Sequence, residues 1–159
     1  MTTPDHLITT WLSRSHHVPK DALRDWEETG MAILSLGSRF VAVRLSGKLV
    51  RAATDMQQPR AVVAVLKARL DGAVIHDPRL DVYYPLLDSR AGLAWEGSCL
   101  APYLGDGVYL GVPALRRRQP PGPYWAVPPR HEGHLCHPAA VGDLVARGAL
   151  AIEDPAEIR

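Results

Sequence analysis

Two short runs of period two limit what this chain can fold into. In Val108-Tyr109-Leu110-Gly111-Val112-Pro113, the apolar Val108, Leu110 and Val112 alternate with Tyr109 and Gly111. In Tyr124-Trp125-Ala126-Val127-Pro128-Pro129, Tyr124 and Ala126 alternate with Trp125 and Val127. Successive side chains of an extended chain point to opposite faces, so alternation closed by Gly and Pro marks a strand. Between the runs lies Arg116-Arg117-Arg118-Gln119-Pro120-Pro121-Gly122-Pro123. The expectation is two strands joined by a basic arm stiffened by proline, with Arg130 and His131 near the arm if the strands pair.

The remaining punctuation predicts an alternation of helices and strands. Thr3-Pro4 suits a helix start, and Leu7, Ile8, Trp11 and Leu12 share one face up to about Ser13. Pro19 opens a second helix, with Leu23 and Trp26 on one side and Gly30 as its left-handed cap. Met31–Leu36 is an apolar run between glycines and predicts a strand buried on both faces. Phe40–Leu45 follows as a strand, and Leu49–Asp55 fits either a helical turn or a short strand. Pro59 to Leu70 is the clearest helix, ended by Asp71-Gly72. Ala73–His76 and Leu80–Leu87 predict a hairpin whose second strand lies at an edge or bulges at Pro85, which lacks an N–H. Residues 88–102 read as irregular. Pro138 opens a last helix that Gly148 ends, with a tail over 152–159.

The order defines an α+β fold, an antiparallel or mixed sheet with helices packed on it, in a single domain over residues 1–151. A chain of 159 residues with 47% apolar content is long enough to bury a core. A net charge of +1 gives no global reason for a nucleic-acid partner, so any such case rests on local clustering. Cys99 and Cys136 are too few for a disulfide framework, and no leader or membrane span is read, so the expectation is a cytoplasmic protein. Rich Ala, Val, Leu, Arg and Pro with scarce lysine fits a high-GC genome, such as that of an actinobacterium.

Candidate chemistry is sparse. His131, His134, Cys136 and His137 are ligand types that zinc accepts. Their spacing is poor: His131 and His134 are three apart with Gly133 between, and Cys136 and His137 are adjacent. The plainer reading is a loop cluster with Cys136 buried as a small apolar residue. No Gly-x-Ser-x-Gly elbow supports a nucleophile, although Cys99 or Cys136 could meet His76 or His131. Gly105-Asp106-Gly107 leads into a strand and not a helix, so it is a turn and not a phosphate loop. That leaves Arg116, Arg117, Arg118 and Arg130 for phosphates, with Tyr124 or Trp125 for base stacking.

The motif order resembles the primase-polymerase-like (prim-pol) domain proteins of actinobacteria, within the archaeo-eukaryotic primase superfamily. Trp26 with Gly30–Gly37 is similar to that family's Trp-containing helix and first strand, and Phe40–Leu45 to its second strand. Ala73–Pro78 through Tyr83-Tyr84-Pro85 is similar to its hairpin, and Gly107–Pro113 and Tyr124–Pro129 to its late strands. Active members place metal-binding acids on the second strand and a phosphate-binding histidine on the hairpin. Here those places hold Val43, Arg44 and Leu45, and Tyr83 and Tyr84. The resemblance therefore implies an RNA-recognition-motif-like half with additions, a C-terminal helix, no bound metal or cofactor, and no catalysis.

The expected function is a non-catalytic module that binds nucleic acid or a partner protein in a regulatory or DNA-associated role. One alternative is a protein–protein module, self-associating or hetero-complexed through strand Leu80–Leu87 or the helix carrying Trp11. Another is a metal-binding protein or enzyme using His131, His134 and Cys136. No membrane partner is expected.

Overall fold

The computed structural model describes residues 3–91, 95 and 99–153. The helices are α1 (Pro4–Ser13), α2 (Pro19–Thr29), α3 (Gly47–Thr54), α4 (Pro59–Leu70) and α5 (Pro138–Glu153). The strands are β1 (Met31–Ser35), β2 (Phe40–Val43), β3 (Leu45–Ser46), β4 (Val74–Asp77), β5 (Val82–Asp88), β6 (Tyr103–Leu104), β7 (Tyr109–Pro113) and β8 (Tyr124–Val127). The fold is α+β, as the punctuation predicts. One sheet runs β6-β2-β5-β4-β8, with β3 also on β5, and a two-stranded ribbon pairs β1 with β7.

The larger sheet is covered on both faces. On β2, Val41 and Val43 join one core with Leu49, Leu66, Leu70 and Leu144 from α3, α4 and α5. Phe40 and Ala42 join the other, with Leu12 and Trp26 from α1 and α2 and Leu34 from the ribbon. The alternation of β2 thus feeds two cores separated by one layer of backbone. Burial of so many Val, Leu, Ile and aromatic side chains, at about 1.5–3 kcal/mol each, drives the fold.

Local signals hold where the chain decides locally. Thr3 accepts a hydrogen bond from the His6 N–H, and Gly30 caps α2 at φ +80°. The ambiguous stretch near Leu49 is helix α3, whose first turn is capped by the Ser46 hydroxyl accepting from the Leu49 N–H. Asp71 is itself the left-handed cap of α4, at φ +43°.

Long-range pairing overturns several expectations. The strands on either side of the basic arm do not pair with each other: β7 pairs with β1, and β8 with β4. β1 is buried on one face only, because it lies in the ribbon with Ile33 turned outward and 63% exposed. In α2 it is Ala22 that joins Trp26 inside, while Leu23 stays exposed. β5 is not an edge strand. It pairs with β4 on one side and with β2 and β3 on the other. The Leu86 N–H points to Ala73 on the β4 side, so the nitrogen of Pro85 faces β2 and β3. One register runs through both strands and places Val43 opposite Pro85. The missing donor explains why a single strand is interrupted there, while the Arg44 N–H, on the other side, continues the β2–β6 register to the Pro102 carbonyl.

Gly148 does not end α5, which continues to Glu153, two residues into the expected tail. A Cβ on Gly148 would lie 2.6 Å from Leu49 Cδ1 and 2.8 Å from the Leu49 carbonyl oxygen. The glycine is there so that α5 can touch α3. The remaining tail, and residues 92–94 and 96–98 of the expected irregular segment, lie outside the described residues.

Gly148→Ala is therefore expected to destabilise the protein by about 1–3 kcal/mol in denaturant unfolding, although alanine is the better helix former. Gly142→Ala in the same helix meets nothing within 4 Å and should stabilise it by up to about 1 kcal/mol. Equal effects of the two changes would refute the packing explanation.

Candidate functional site

The basic arm is largely a structural brace. Arg116 Nη2 donates to the Trp26 carbonyl at 2.9 Å, tying the arm to α2. Arg117 Nε donates to Pro123 at 3.0 Å and its Nη2 to Pro121, closing the arm on itself. The Trp125 N–H donates to the Arg117 carbonyl, so the arm lies along the outer edge of β8. Arg118 Nε donates to the Leu115 carbonyl, and its terminal nitrogens have no partner among the described residues.

The aromatic rings expected to stack on bases are inside. Trp125 is 1% exposed and donates from Nε1 to the Pro113 carbonyl; Tyr124 is 5% exposed. Alternation on β8 sends one ring to each core, so neither presents a face to a ligand.

The structure does bring two of the predicted arginines together. Arg118 and Arg130 line one cavity of about 250 Å³ with Lys67, Asp71 and His134, against an apolar wall of Val63, Ala126, Val127 and Pro128. Lys67 comes from the exposed side of α4, Arg118 from the end of the arm, and Arg130 from the chain after β8. Arg130 Nη2 donates to Asp71 Oδ1 at 2.7 Å. The Lys67 ammonium has no hydrogen-bond or ionic partner among the described residues.

His134 is held by backbone. Gly72 makes room for it: a Cβ there would sit 2.3 Å from the Cys136 nitrogen, so only glycine lets residues 135–136 cross the end of α4. The Ala73 N–H donates to the His134 carbonyl and the Cys136 N–H to Leu86. The Arg130 N–H donates to His134 Nδ1 at 3.0 Å, which puts the proton of a neutral ring on Nε2, 3.4 Å from Asp71 Oδ1. Both ring nitrogens are thus engaged inside the protein.

That geometry argues against the zinc alternative. His131 contacts the His134 ring at a centroid distance of 4.8 Å, but its Nδ1 lies against the Glu132 carbonyl. Cys136 is buried with Sγ against the Ala73 carbonyl, and burial pushes its thiol up to about 12. A thiol held protonated is a poor nucleophile. Among the described residues no group of three or more His, Cys, Asp or Glu side chains could hold a metal ion.

A second polar cluster escaped the sequence reading. His76 on β4 is 6% exposed, stacks on Tyr83 at 4.0 Å and has Nδ1 2.8 Å from the Tyr124 hydroxyl. Its Nε2 lies 3.6 Å from Asp81 Oδ1, longer than a normal hydrogen bond. Asp81 in turn receives both terminal nitrogens of Arg51, at 3.2 and 2.9 Å. The Arg51 hydrogen bonds hold the Asp81 carboxyl below its usual value. Burial lowers the His76 pKa from 6.5, and the attraction of Asp81 opposes this without cancelling it. Arg51 also lines a cavity with Lys48, Ala52 and Asp55, whereas His76, Asp81 and Tyr124 line none of the described cavities, and the cluster reads as a brace between β4, β8 and α3. No family model, curated protein or solved structure matches the chain.

Because the folded state holds His76 below 6.5, the unfolded chain takes up its proton first as pH falls. The His76 contribution to stability is complete above that value and is lost as pH drops through it toward the folded pKa. Denaturant unfolding from about pH 7.5 to about pH 5 should show falling stability. The double variant His76→Phe/Tyr124→Phe, which removes the titrating group and its partner hydroxyl together, should flatten that fall. Identical slopes would exclude His76 as the source.

Proposed function

We propose that the protein is a non-catalytic nucleic-acid-binding module whose phosphate contact is the cavity formed by Lys67, Arg118 and Arg130. The observation that carries this reading is the convergence of three cationic side chains from separate segments on one cavity with a single carboxylate. Lys67 and the terminal nitrogens of Arg118 face it without internal partners. Both side chains are exposed, so an incoming anion meets cations that no carboxylate of the chain neutralises, and phosphate oxygens suit guanidinium and ammonium donors. The apolar wall of Ala126, Val127 and Pro128 gives a sugar a surface to rest on. With Tyr124 and Trp125 inside, binding is expected to be tolerant of sequence and governed by the backbone.

A second reading has its own observation. The outer face of the β1–β7 ribbon exposes Ile33 opposite Gly111, with Tyr109 59% exposed beside it. A protein partner would use this face. It would not use β5, whose two edges are both paired, nor the face of α1 where Trp11 packs against Phe40.

The deciding measurement is anisotropy of labelled oligonucleotides over a salt series. Affinity should fall with salt, and Arg118→Ala should weaken binding by roughly tenfold while reducing the salt slope by about one. Arg116→Ala should chiefly lower stability, since it removes the tie to Trp26. Absence of binding at low salt would sink the proposal and direct attention to the ribbon face.

A further inference from the structure

The charges in the cavity do not match every phosphate equally. Lys67, Arg118 and Arg130 face one carboxylate, Asp71, which leaves an excess of two positive charges without counting His134. An internal phosphodiester carries a single negative charge, whereas a phosphomonoester carries about −1.5 to −2 near neutral pH. At about 250 Å³ the cavity is also smaller than the roughly 300–1,000 Å³ of pockets that enclose whole drug-sized ligands. It suits one chemical group with its immediate attachment.

Asp71 tempers the attraction without removing it. Its Oδ1 accepts from Arg130 at 2.7 Å and lies 3.4 Å from His134 Nε2, so an internal anion already holds part of the site. An incoming anion feels its repulsion, a dianion more strongly than a monoanion, so the preference for a dianion comes from the cations in excess.

We infer that this cavity is a phosphomonoester pocket, in which the excess of Lys67, Arg118 and Arg130 over Asp71 favours a terminal phosphate over an internal phosphodiester. The inference rests on the proposed function, because it identifies the ligand group at the same site. The two sources of such a group are the phosphorylated end of a nucleic-acid strand and a free mononucleotide.

The test compares one short single-stranded oligonucleotide carrying either a terminal phosphate or a hydroxyl, with a nucleoside monophosphate and inorganic phosphate as competitors. Wild-type protein should bind the phosphorylated end about tenfold more tightly or better. Lys67→Met, which removes a side chain with no internal partner, should abolish that preference. Asp71→Asn keeps a residue that tolerates the left-handed conformation of the α4 cap. It should tighten binding of both strands and widen the ratio. A salt bridge that served only stability would give no gain.

Release by the mononucleotide, at concentrations where inorganic phosphate has no effect, assigns the pocket to the free nucleotide; resistance to both assigns it to the strand end. Equal affinity for the two ends would overturn the inference and leave the proposed function standing. Failure of both strands to bind would overturn both. Capture of a phosphoserine peptide, without any oligonucleotide, would overturn the nucleic-acid source.

Discussion

The contact of residues 135–136 with Gly72 is the constraint on which the candidate site depends. A side chain at position 72 would occupy the place of the Cys136 nitrogen. With none there, the crossing segment lies flat against the end of α4 and the Cys136 N–H reaches the Leu86 carbonyl at 2.8 Å. That places His134 over Asp71 and delivers Pro138 to the start of α5. The rest follows from sterics at a second glycine. Gly148 lets α5 close on α3 through Leu49, and this pair makes one of the two cores. The cavity walls and the core on that face of the sheet are thus set by two backbone approaches that only glycine permits.

The main polar group inside this fold sits in a short chain of partners, although His76 Nε2 itself is buried without a hydrogen bond. Arg51, Asp81, His76 and Tyr124 connect α3 to β8 across the hairpin. Asp81 adopts φ +53° to do so, and Gly47 leaves space for its carboxylate. The Arg51–Asp81 pair is half exposed and adds little net stability, because solvent screens its attraction. The cluster's effect is on geometry: β8 is fixed in register against β4, and with it the residues that wall the cavity.

The sequence carried the locally determined parts of this fold. The bounds of α4, the cap of α2 at Gly30 and the β4–β5 hairpin follow from Pro, Gly and apolar period, and these signals act within a few residues. Pairing partners do not. Nothing in Met31–Leu36 says that Ile33 will face solvent, because a symmetrical apolar run hides which face is covered. Gly148 misled for a related reason: a glycine late in a helix usually ends it, and only the position of Leu49 explains why it does not. At the candidate site Arg118 and Arg130 were legible as cations. Lys67 and Asp71 were not, since a lysine and an aspartate four apart on a helix are the ordinary furniture of an exposed face.

The arginine run shows why adjacency in sequence is a poor guide to shared chemistry. Three neighbouring guanidinium groups would repel in a common site, and the chain separates them. Arg116 turns to α2, Arg117 folds back on the proline loop, and Arg118 reaches toward α4. The carbonyls that receive Arg116 and Arg117 turn two of the charges into braces. Bracing has a consequence for the third. Because the Arg117 carbonyl is fixed by the Trp125 N–H, the backbone that carries Arg118 cannot drift from β8. A ligand that meets Arg118 therefore meets a side chain already positioned, with less ordering entropy to lose than a free loop would impose. Lys67 on α4 and Arg130 bound to Asp71 are held in the same sense. The fold thus brings three exposed cations to one cavity with a single carboxylate, and two of their charges are left uncompensated by the cavity's own residues.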